Sequence, residues 1–205
     1  MSLKRLNIAG YGQLELNQVA FRRDGRIEAQ SKLADNFTKD APCENGMILV
    51  VDYTTRTIRL PSVSDNANTL YALNYSTEHM YSEKHNALKD FYLIADDKFD
   101  LDNGNRVYPR LGFLSAQDRF TTNCICYDTD EFETEDALIE AINAVDDENV
   151  LYGGVSTLGA IKISKTAPTN GPVLIVRDKN YSAGNTMPDG TFGVSFACVT
   201  EKAAN

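Results

Sequence analysis

The chain has 205 residues, of which 42% are hydrophobic and 24% charged, and its formal net charge is −9 with an isoelectric point of about 4.7. This size and composition are typical of a soluble globular domain with a core of its own. The acidic balance disfavours binding to nucleic acid or to an anionic membrane. No apolar run approaches the ~20 residues of a membrane span, and the start of the chain, MSLKRLNIAGYGQ, does not match a signal peptide. We therefore expect a protein that is made in a cytoplasm.

The N-terminal part of the chain is predicted to be an arm followed by a β-hairpin. Residues 1–13 lack a hydrophobic period, which indicates an arm or a frayed end. Leu14–Leu33 indicates a hairpin around Asp24-Gly25. A two-residue loop would pair Phe21 with Glu28, whereas a three-residue loop would pair Phe21 with Ile27. We favour the three-residue loop because it places apolar side chains opposite each other.

Aromatic and basic residues near the tip of this hairpin are the candidate partner-binding residues. They are Phe21, Arg22, Arg23 and Arg26. A basic cluster in a chain of net charge −9 gains from an acidic partner. Because an isolated two-stranded ribbon is marginal in water, the hairpin either docks on a neighbouring subunit or adds two strands to its own barrel. Residues 1–43 are accordingly predicted to be an arm and hairpin, and residues 44–205 a β-rich globular domain.

The most apolar run of the chain, Met47–Val51, is predicted to be a central strand. It is apolar on both faces, as is typical of strands that are covered on both sides. A turn over Tyr53–Arg56 returns the chain as Thr57–Leu60, which Pro61 closes, so that these runs form a second hairpin. Leu70–Tyr75 alternates weakly and is the next predicted strand.

The stretch that follows gives a weaker signal. Ser76–Leu88 fits neither a helix nor a strand consistently, and Ala87–Ile94 is compatible with a strand. Asp96–Asn105 is rich in Asp, Asn and Gly and is therefore predicted to be an acidic, turn-rich loop.

The rest of the chain is organised around residues 106–128. Two extended runs, Leu111–Leu114 and Phe120–Tyr127, are joined by the polar turn Ser115–Arg119. The second run is rich in aromatic and β-branched residues, and its even-numbered and odd-numbered residues form two opposite faces. This period of two predicts a strand.

The last third of the chain is predicted to hold one helix and several strands. Glu135–Val145 is the predicted helix, with Thr134 as its N-cap and one apolar face. Gly153-Gly154 is predicted to turn the chain. Three extended segments follow, namely Ala160–Ser164, Val173–Asp178 and Thr191–Thr200. The expected fold class is β-rich α+β, an antiparallel barrel or sandwich with one main helix at about residues 135–145 and an N-terminal hairpin arm.

Residues with metal-binding or catalytic chemistry do not form known motifs. Cys124 and Cys126 lie one residue apart, unlike the paired spacing of zinc sites, and the cysteines are predicted to be small buried hydrophobes. A calcium loop that begins at Asp100 has glycine at position 5 instead of position 6 and fails the EF-hand pattern. His79 and His85 lie in no recognised motif for metal binding or nucleophilic catalysis.

Acidic and aromatic residues leave two further possibilities open. The run from Asp128 to Asp136 could supply paired carboxylates for glycoside hydrolysis, but a solvated run that ends in a helix cap accounts for the same residues. Tyrosines expected at the surface could stack on sugars or pack in a protein interface, namely Tyr71, Tyr75, Tyr81, Tyr92 and Tyr108. No catalytic, cofactor-binding or metal-binding residue is assigned.

Four segments together resemble a family of virion proteins. They are ENGMILVVDYTTRTIRLP (Glu44–Pro61), NYSTEHMY (Asn74–Tyr81), YPRLGFLSAQDRFTTNCICYD (Tyr108–Asp128) and MPDGTFGVSFACV (Met187–Val199). In these segments the chain is similar to virion-associated proteins of tailed bacteriophages, whose genes tend to lie beside the gene for the major capsid protein. The similarity spans most of Glu44–Thr200.

The resemblance implies a non-enzymatic structural protein of the phage particle, such as a capsid decoration or cement protein that docks in many copies on the shell. The implied partners are the major capsid protein or neighbouring virion subunits, without direct contact to nucleic acid or membrane. It implies neither a cofactor nor active-site residues. One alternative is a carbohydrate- or host-surface-binding β module of a phage particle, and another is a hydrolase that uses Asp/Glu or His79.

Overall fold

The computed structural model of the chain is rich in β-strands and has one α-helix among the residues that it describes. The structure describes residues 2–15, 19–21, 26–66, 68–76, 90–96, 98–100, 105–177, 185–187 and 190–202. The strands are β1 (Leu3–Arg5), β2 (Ile27–Glu28), β3 (Lys32–Leu33), β4 (Ile48–Asp52), β5 (Thr57–Arg59), β6 (Leu70–Asn74), β7 (Lys98–Asp100), β8 (Asn105–Arg106), β9 (Leu111–Phe113), β10 (Arg119–Thr122), β11 (Ile125–Asp128), β12 (Tyr152–Gly154), β13 (Ile161–Ser164), β14 (Val173–Val176) and β15 (Val194–Thr200). The helix is α1 (Glu135–Asn143). Within these ranges, no helix has the length and apolar character to cross a membrane.

The first sheet has seven strands in the order β1-β11-β13-β12-β14-β15-β10. β11 and β13 run parallel and the other neighbours antiparallel. In the second sheet described below, β3 and β5 also run parallel, so both sheets are mixed and the purely antiparallel pairing that was expected is wrong. β10 is the strand at one edge of this sheet, and β11 is the second strand from the opposite edge. In the chain, however, only Asn123 and Cys124 separate β10 from β11. The sheet must therefore be strongly curled, as in half of a barrel.

Residues 1–21, of which 2–15 and 19–21 are described, form the N-terminal segment, and it pairs along β10 and β11. β1 is antiparallel to β11, Leu14 bridges Thr122, and Ala20 bridges Arg119. Leu6 and Leu14 are buried in the core that the first sheet encloses. The expectation of a frayed end is therefore wrong, because strand pairing and the burial of two leucines hold this segment in place.

The predicted hairpin turn, residues 22–25, lies outside the described residues. Before it, Ala20 is bridged to β10, and after it, Ile27 pairs with Gly112 of β9. The predicted pairing of Phe21 with Ile27 is not found among the pairings of the described residues. The hairpin arm therefore stays a prediction.

The strand predicted through residues 120–127 is broken into β10 and β11 by a bend. The backbone N–H of Ile125 donates to the carbonyl oxygen of Asn123 at 2.9 Å, which makes a tight turn. Phe120 and Ile125 consequently lie in the same core, although a continuous strand would place them on opposite faces. Cys124 lies in the other core. Strand structure is confirmed on both sides of the bend, but the uninterrupted alternation is wrong.

The second sheet has six strands in the order β2-β9-β6-β4-β5-β3. β2 and β3 form its opposite edges, yet only residues 29–31 lie between them in the chain. Four Cα steps reach at most ~14 Å, whereas six strands side by side span ~24 Å when flat. The second sheet is therefore strongly curled as well.

The central position predicted for the strand near residue 50 is confirmed. β4 lies between β5 and β6, and the β4–β5 hairpin has the predicted turn. Ile48 and Val50 belong to the core of the first sheet, whereas Leu49 and Val51 belong to a second core. β4 thus forms part of a wall between two apolar cores, which explains why it is apolar on both faces.

Helix α1 is confirmed with an end two residues earlier than predicted. Thr134 Oγ1 accepts a hydrogen bond from the backbone N–H of Ala137 at 3.1 Å, so Thr134 is the N-cap. Leu138 and Ile142 are buried in the first core. The predicted apolar face of the helix therefore packs against the first sheet.

Gly153 and Gly154 lie in strand β12, so the predicted turn is wrong. A β-carbon at Gly153 would approach the ring of Phe196, and one at Gly154 would approach the ring of Pro168. The glycines therefore serve close packing of neighbouring elements rather than a change of chain direction.

The remaining strand predictions are partly confirmed. β6, β13, β14 and β15 lie in the predicted segments with shorter bounds. The predicted acidic loop contains β7 and the first residue of β8, and these two strands pair with each other. Residues 101–104 of that loop lie outside the described residues. Residues 77–89, which include most of the ambiguous stretch, also lie outside them.

Candidate functional site

A buried polar cluster lies where the N-terminal segment meets the segment before β4. The guanidinium of Arg5 donates two hydrogen bonds to the carboxylate of Glu44, with Nη2 and Oε2 2.8 Å apart. The backbone N–H of Gly12 donates to the same carboxylate, and Glu44 is only 5% exposed. Burial acts to lower the pKa of Arg5, but the hydrogen bond to the Glu44 carboxylate and the negative charge of that carboxylate outweigh it and raise that pKa. Arg5 therefore stays charged and anchors β1.

Asn74 extends this cluster at the end of β6, where it is fully buried. Its Nδ2 donates to the carbonyl oxygen of Glu44 at 2.8 Å and to Sγ of Cys43 at 3.2 Å. Its Oδ1 accepts from the hydroxyl of Ser76, which in turn accepts from the backbone N–H of Arg110 at 2.7 Å. The polar atoms of the Asn74 side chain are thus used within the fold, which indicates a structural role.

The four cysteines are buried free thiols, as predicted: Cys43, Cys124, Cys126 and Cys198. Burial raises the pKa of each thiol, to about 11 for Cys126 and about 12 for Cys198. A protonated, buried thiol is a weak nucleophile and a poor metal ligand. In the part of the chain that the structure describes, no group of three or more His, Cys, Asp or Glu side chains is arranged to hold a metal ion.

Two carboxylates of the acidic run from Asp128 to Asp136 meet at the ammonium of Lys162, which lies 3.4 Å from Oδ2 of Asp128 and 3.8 Å from Oε1 of Glu131. Glu131 also accepts from the hydroxyl of Ser164, and Glu135 accepts from the backbone N–H of Asn7. The backbone N–H of Asp130 and the ammonium of Lys162 lower the pKa of Asp128. A lowered pKa is unsuited to a general acid, so these contacts do not favour glycoside hydrolysis.

Most of the other predicted ligands lie outside the described residues. This holds for His79 and His85, and for Asp97 and residues 101–104 of the acidic loop. Asp96 is described and is exposed to solvent. The described residues therefore give no distances that would test the histidine or calcium hypotheses.

Two of the candidate partner-binding residues are described, and both contact this chain. The ring of Phe21 packs over Gly112, and its centroid lies 5.5 Å from that of the Tyr75 ring. Nη2 of Arg26 lies 3.0 Å from Oε2 of Glu201, so an ion pair joins the start of β2 to the end of β15. The other two, Arg22 and Arg23, lie outside the described residues.

Two exposed apolar side chains adjoin this ion pair in the sequence. Ile27 follows Arg26 and is 59% exposed, and Val199 lies two residues before Glu201 and is 50% exposed. We call Arg26, Ile27, Val199 and Glu201 the β2–β15 surface. The ion pair joins the two strand ends, and each end carries one exposed apolar side chain; apolar groups near a polar rim are a composition found in protein interfaces.

The tyrosines that were predicted to be exposed are directed to different places. Tyr71 contacts Asn170, Tyr75 packs on Phe21, and Tyr92 packs on Tyr11. Of the four that the structure describes, Tyr108 is the one that exposes about half of its surface, 47%. These four residues therefore do not form the single platform that tyrosine stacking on a polysaccharide requires.

A polar cavity of about 140 Å³ lies between the N-terminal segment, helix α1 and the residues before β15. Its polar lining includes Asn7, Gln13, Asn123, Glu135 and Thr191, and Phe192 belongs to its apolar wall. Sequence reasoning missed this cavity. The residues come from distant parts of the chain, and no local spacing connects them.

Comparison with known proteins gives no relative. No protein-family model matches the chain. Neither a curated protein nor a solved structure matches it significantly.

Proposed function

We propose that the chain is a non-enzymatic structural protein of a tailed-bacteriophage particle, a capsid decoration or cement protein that docks in many copies on the shell. The proposal starts from the four segments that resemble virion-associated proteins. The partners in this proposal are the major capsid protein or neighbouring virion subunits.

One observation carries the proposal, namely that the resembling segments supply strands that pair with each other. β4 from the first segment and β9 from the third are both neighbours of β6, whose last residue begins the second segment. β10 from the third segment pairs with β15, most of which belongs to the fourth. The resemblance therefore concerns the framework of the fold, as expected when shape and surface, rather than a catalytic group, carry the function.

The charge of the chain also supports this proposal. A net charge of −9 disfavours contact with packaged DNA, whose phosphates repel an acidic surface. The same charge discourages unspecific association in solution before assembly. A particle component that binds protein subunits and not the genome fits this balance.

We propose the β2–β15 surface as the docking surface. Ile27 and Val199 expose 59% and 50% of their surface, and apolar groups of this kind supply the favourable burial in an interface. Arg22 and Arg23 precede this surface in the sequence and favour an acidic partner. In this proposal the N-terminal segment keeps its strand pairing with β10 and β11. The exposed side chains of the β2–β15 surface make the contact with the partner subunit.

The proposal is tested on purified particles of the phage that encodes the chain. We expect quantitative mass spectrometry to find the chain in a fixed ratio to the major capsid protein. Recombinant chain should rebind to particles that lack it, and the Ile27→Lys/Val199→Lys variant should lose this binding. Val63→Lys is the matched control, because Val63 is 94% exposed and lies in the loop between β5 and β6.

Two outcomes contradict different parts of the proposal. Particles that contain no copies of the chain would overturn the virion function. Particles that bind the Ile27→Lys/Val199→Lys variant as well as the control would leave that function standing and would overturn the choice of docking surface.

A further inference from the structure

We propose that the cavity between the N-terminal segment and helix α1 is a binding site for a single sugar residue, a neutral ligand rich in hydroxyl groups. This inference is independent of capsid docking. It concerns a small-molecule site on the same chain.

The first step is that two buried carboxamides open into the cavity. Gln13 is 6% exposed and Asn123 is 2% exposed, and both line the cavity. Among the described residues, the hydrogen bonds of Gln13 all use its backbone. Those of Asn123 use its backbone and its Oδ1, which accepts from the backbone N–H of Gln13 at 2.7 Å.

The Gln13 carboxamide and the Asn123 Nδ2 are therefore left to face the cavity. Neither group is among the described side-chain atoms that are sealed from solvent without a hydrogen-bond partner, so both are reached from the cavity. Water or a polar ligand in the cavity completes their hydrogen bonds. Since both groups belong to side chains that the strand pairing holds in place, the site is preorganised for that partner.

The second step is the chemistry of the lining. A carboxamide offers both a donor and an acceptor, and a hydroxyl group can satisfy either. The carboxylate of Glu135 supplies one further acceptor and already receives the backbone N–H of Asn7 at 3.0 Å. The lining residues include no basic side chain, which disfavours an anion.

The apolar part of the lining suits the carbon–hydrogen face of a sugar ring. Ile139 of helix α1 and Phe192 both border the cavity, and both pack against the first core. An aromatic ring beside polar groups is a common way to bind an amphipathic ligand. A sugar ring has this combination, with hydroxyls at its edge and an apolar face.

The third step is size. A volume of about 140 Å³ corresponds to roughly five waters at ~30 Å³ each. Pockets for drug-sized ligands have about 300–1,000 Å³. The cavity therefore has room for about one ring.

The test uses the full-length protein and a panel of glucose, galactose, mannose and N-acetylglucosamine, with binding followed by NMR titration. We expect at least one sugar to give saturable shifts at Gln13, Asn123 and Phe192. Gln13→Met removes the amide with little change in size, and Asn123→Asp keeps the acceptor for the Gln13 N–H but removes the donor. Each variant should weaken binding at least about tenfold, as expected for a lost hydrogen bond to a buried amide.

Gln30→Met is the matched control, because it makes the same change at an exposed position between β2 and β3. It should bind the sugar like the parent protein. If no sugar in the panel gives saturable shifts, the proposal is overturned. It is also overturned if the shifts of the parent protein map away from the cavity, which decides the question even where a variant does not fold.

Discussion

The ring of Phe21 occupies the space that a side chain at Gly112 would need. Gly112 pairs with Ile27 of β2 on one side and with Leu73 of β6 on the other. The ring therefore covers the middle of three strands, and the segment before β2 is packed onto the sheet that β2 joins. The glycine is required by this close approach, since its backbone angle is not unusual.

Gly112→Ala should lower the melting temperature, because the added methyl group displaces the Phe21 ring. The same substitution in a Phe21→Leu background should cost much less, since the smaller side chain leaves room for the methyl group. Thermal unfolding of the parent, the two single variants and the double variant measures this coupling. Strictly additive effects would show that the two residues do not share this space.

Glu44→Ala should destabilise the protein by on the order of 3 kcal/mol, because it leaves Arg5 and the Gly12 N–H without their buried acceptor. Glu201→Gln is the matched control, since it removes an acidic partner from the more exposed ion pair with Arg26. This control should cost at most about 1 kcal/mol. Urea unfolding curves give both values, and equal losses would contradict the anchoring role of Glu44.

Leu49→Ala and Ile125→Ala should each cost on the order of 2–5 kcal/mol, because both side chains are fully buried and each belongs to a different core. Val63→Ala, at a position 94% exposed, should leave stability nearly unchanged. Chemical denaturation measures the three differences. Melting of either core variant within a degree or two of the parent would refute the burial of that residue.

Asp128 should make the fold sensitive to acid. Its pKa is lowered in the folded protein by the backbone N–H of Asp130 and by Lys162. Its carboxylate therefore stabilises the fold above the unfolded value of ~3.9, and this contribution is lost as the pH falls through the lower folded pKa. Asp128→Asn should lower the melting temperature at neutral pH and lose this effect near pH ~2.

Asp147→Asn is the control for this pH dependence, because Asp147 is exposed. Its melting curve should follow that of the parent at every pH. A difference between Asp128→Asn and the parent that stays constant down to acid pH would show that the Asp128 carboxylate is not stabilised in the folded state.

Local elements could be predicted from the sequence because their signals are local. The β4–β5 hairpin is encoded by one apolar run, one turn and one closing proline, and helix α1 is encoded by its cap and its apolar stripe. The predicted burial of the cysteines is also confirmed, since it follows from residue type.

The pairing of distant segments could not be predicted in the same way. Nothing in the sequence around Arg5 indicates that β1 pairs with β11, because any short strand offers the same backbone groups. At the bend at Asn123, tertiary packing places neighbouring residues in two different cores. Side chains alternate between the two faces within β10 and within β11, but the bend interchanges the faces of even-numbered and odd-numbered residues between the two strands. The cavity depends on both features, so sequence reasoning could not find it.

The order of strands in the first sheet has a consequence for synthesis on the ribosome. Arg5 pairs with Cys126, so 121 residues are added after Arg5 until its partner has been made. At about 5–20 residues per second, β1 waits roughly 6–24 s for its neighbour. During that interval the strand partners of the segment that holds Leu6 and Leu14 are absent and their core is incomplete, so the nascent segment can present both leucines to chaperones or to other chains. The N-terminal segment is thus protected by strand pairing only after β11 has been made.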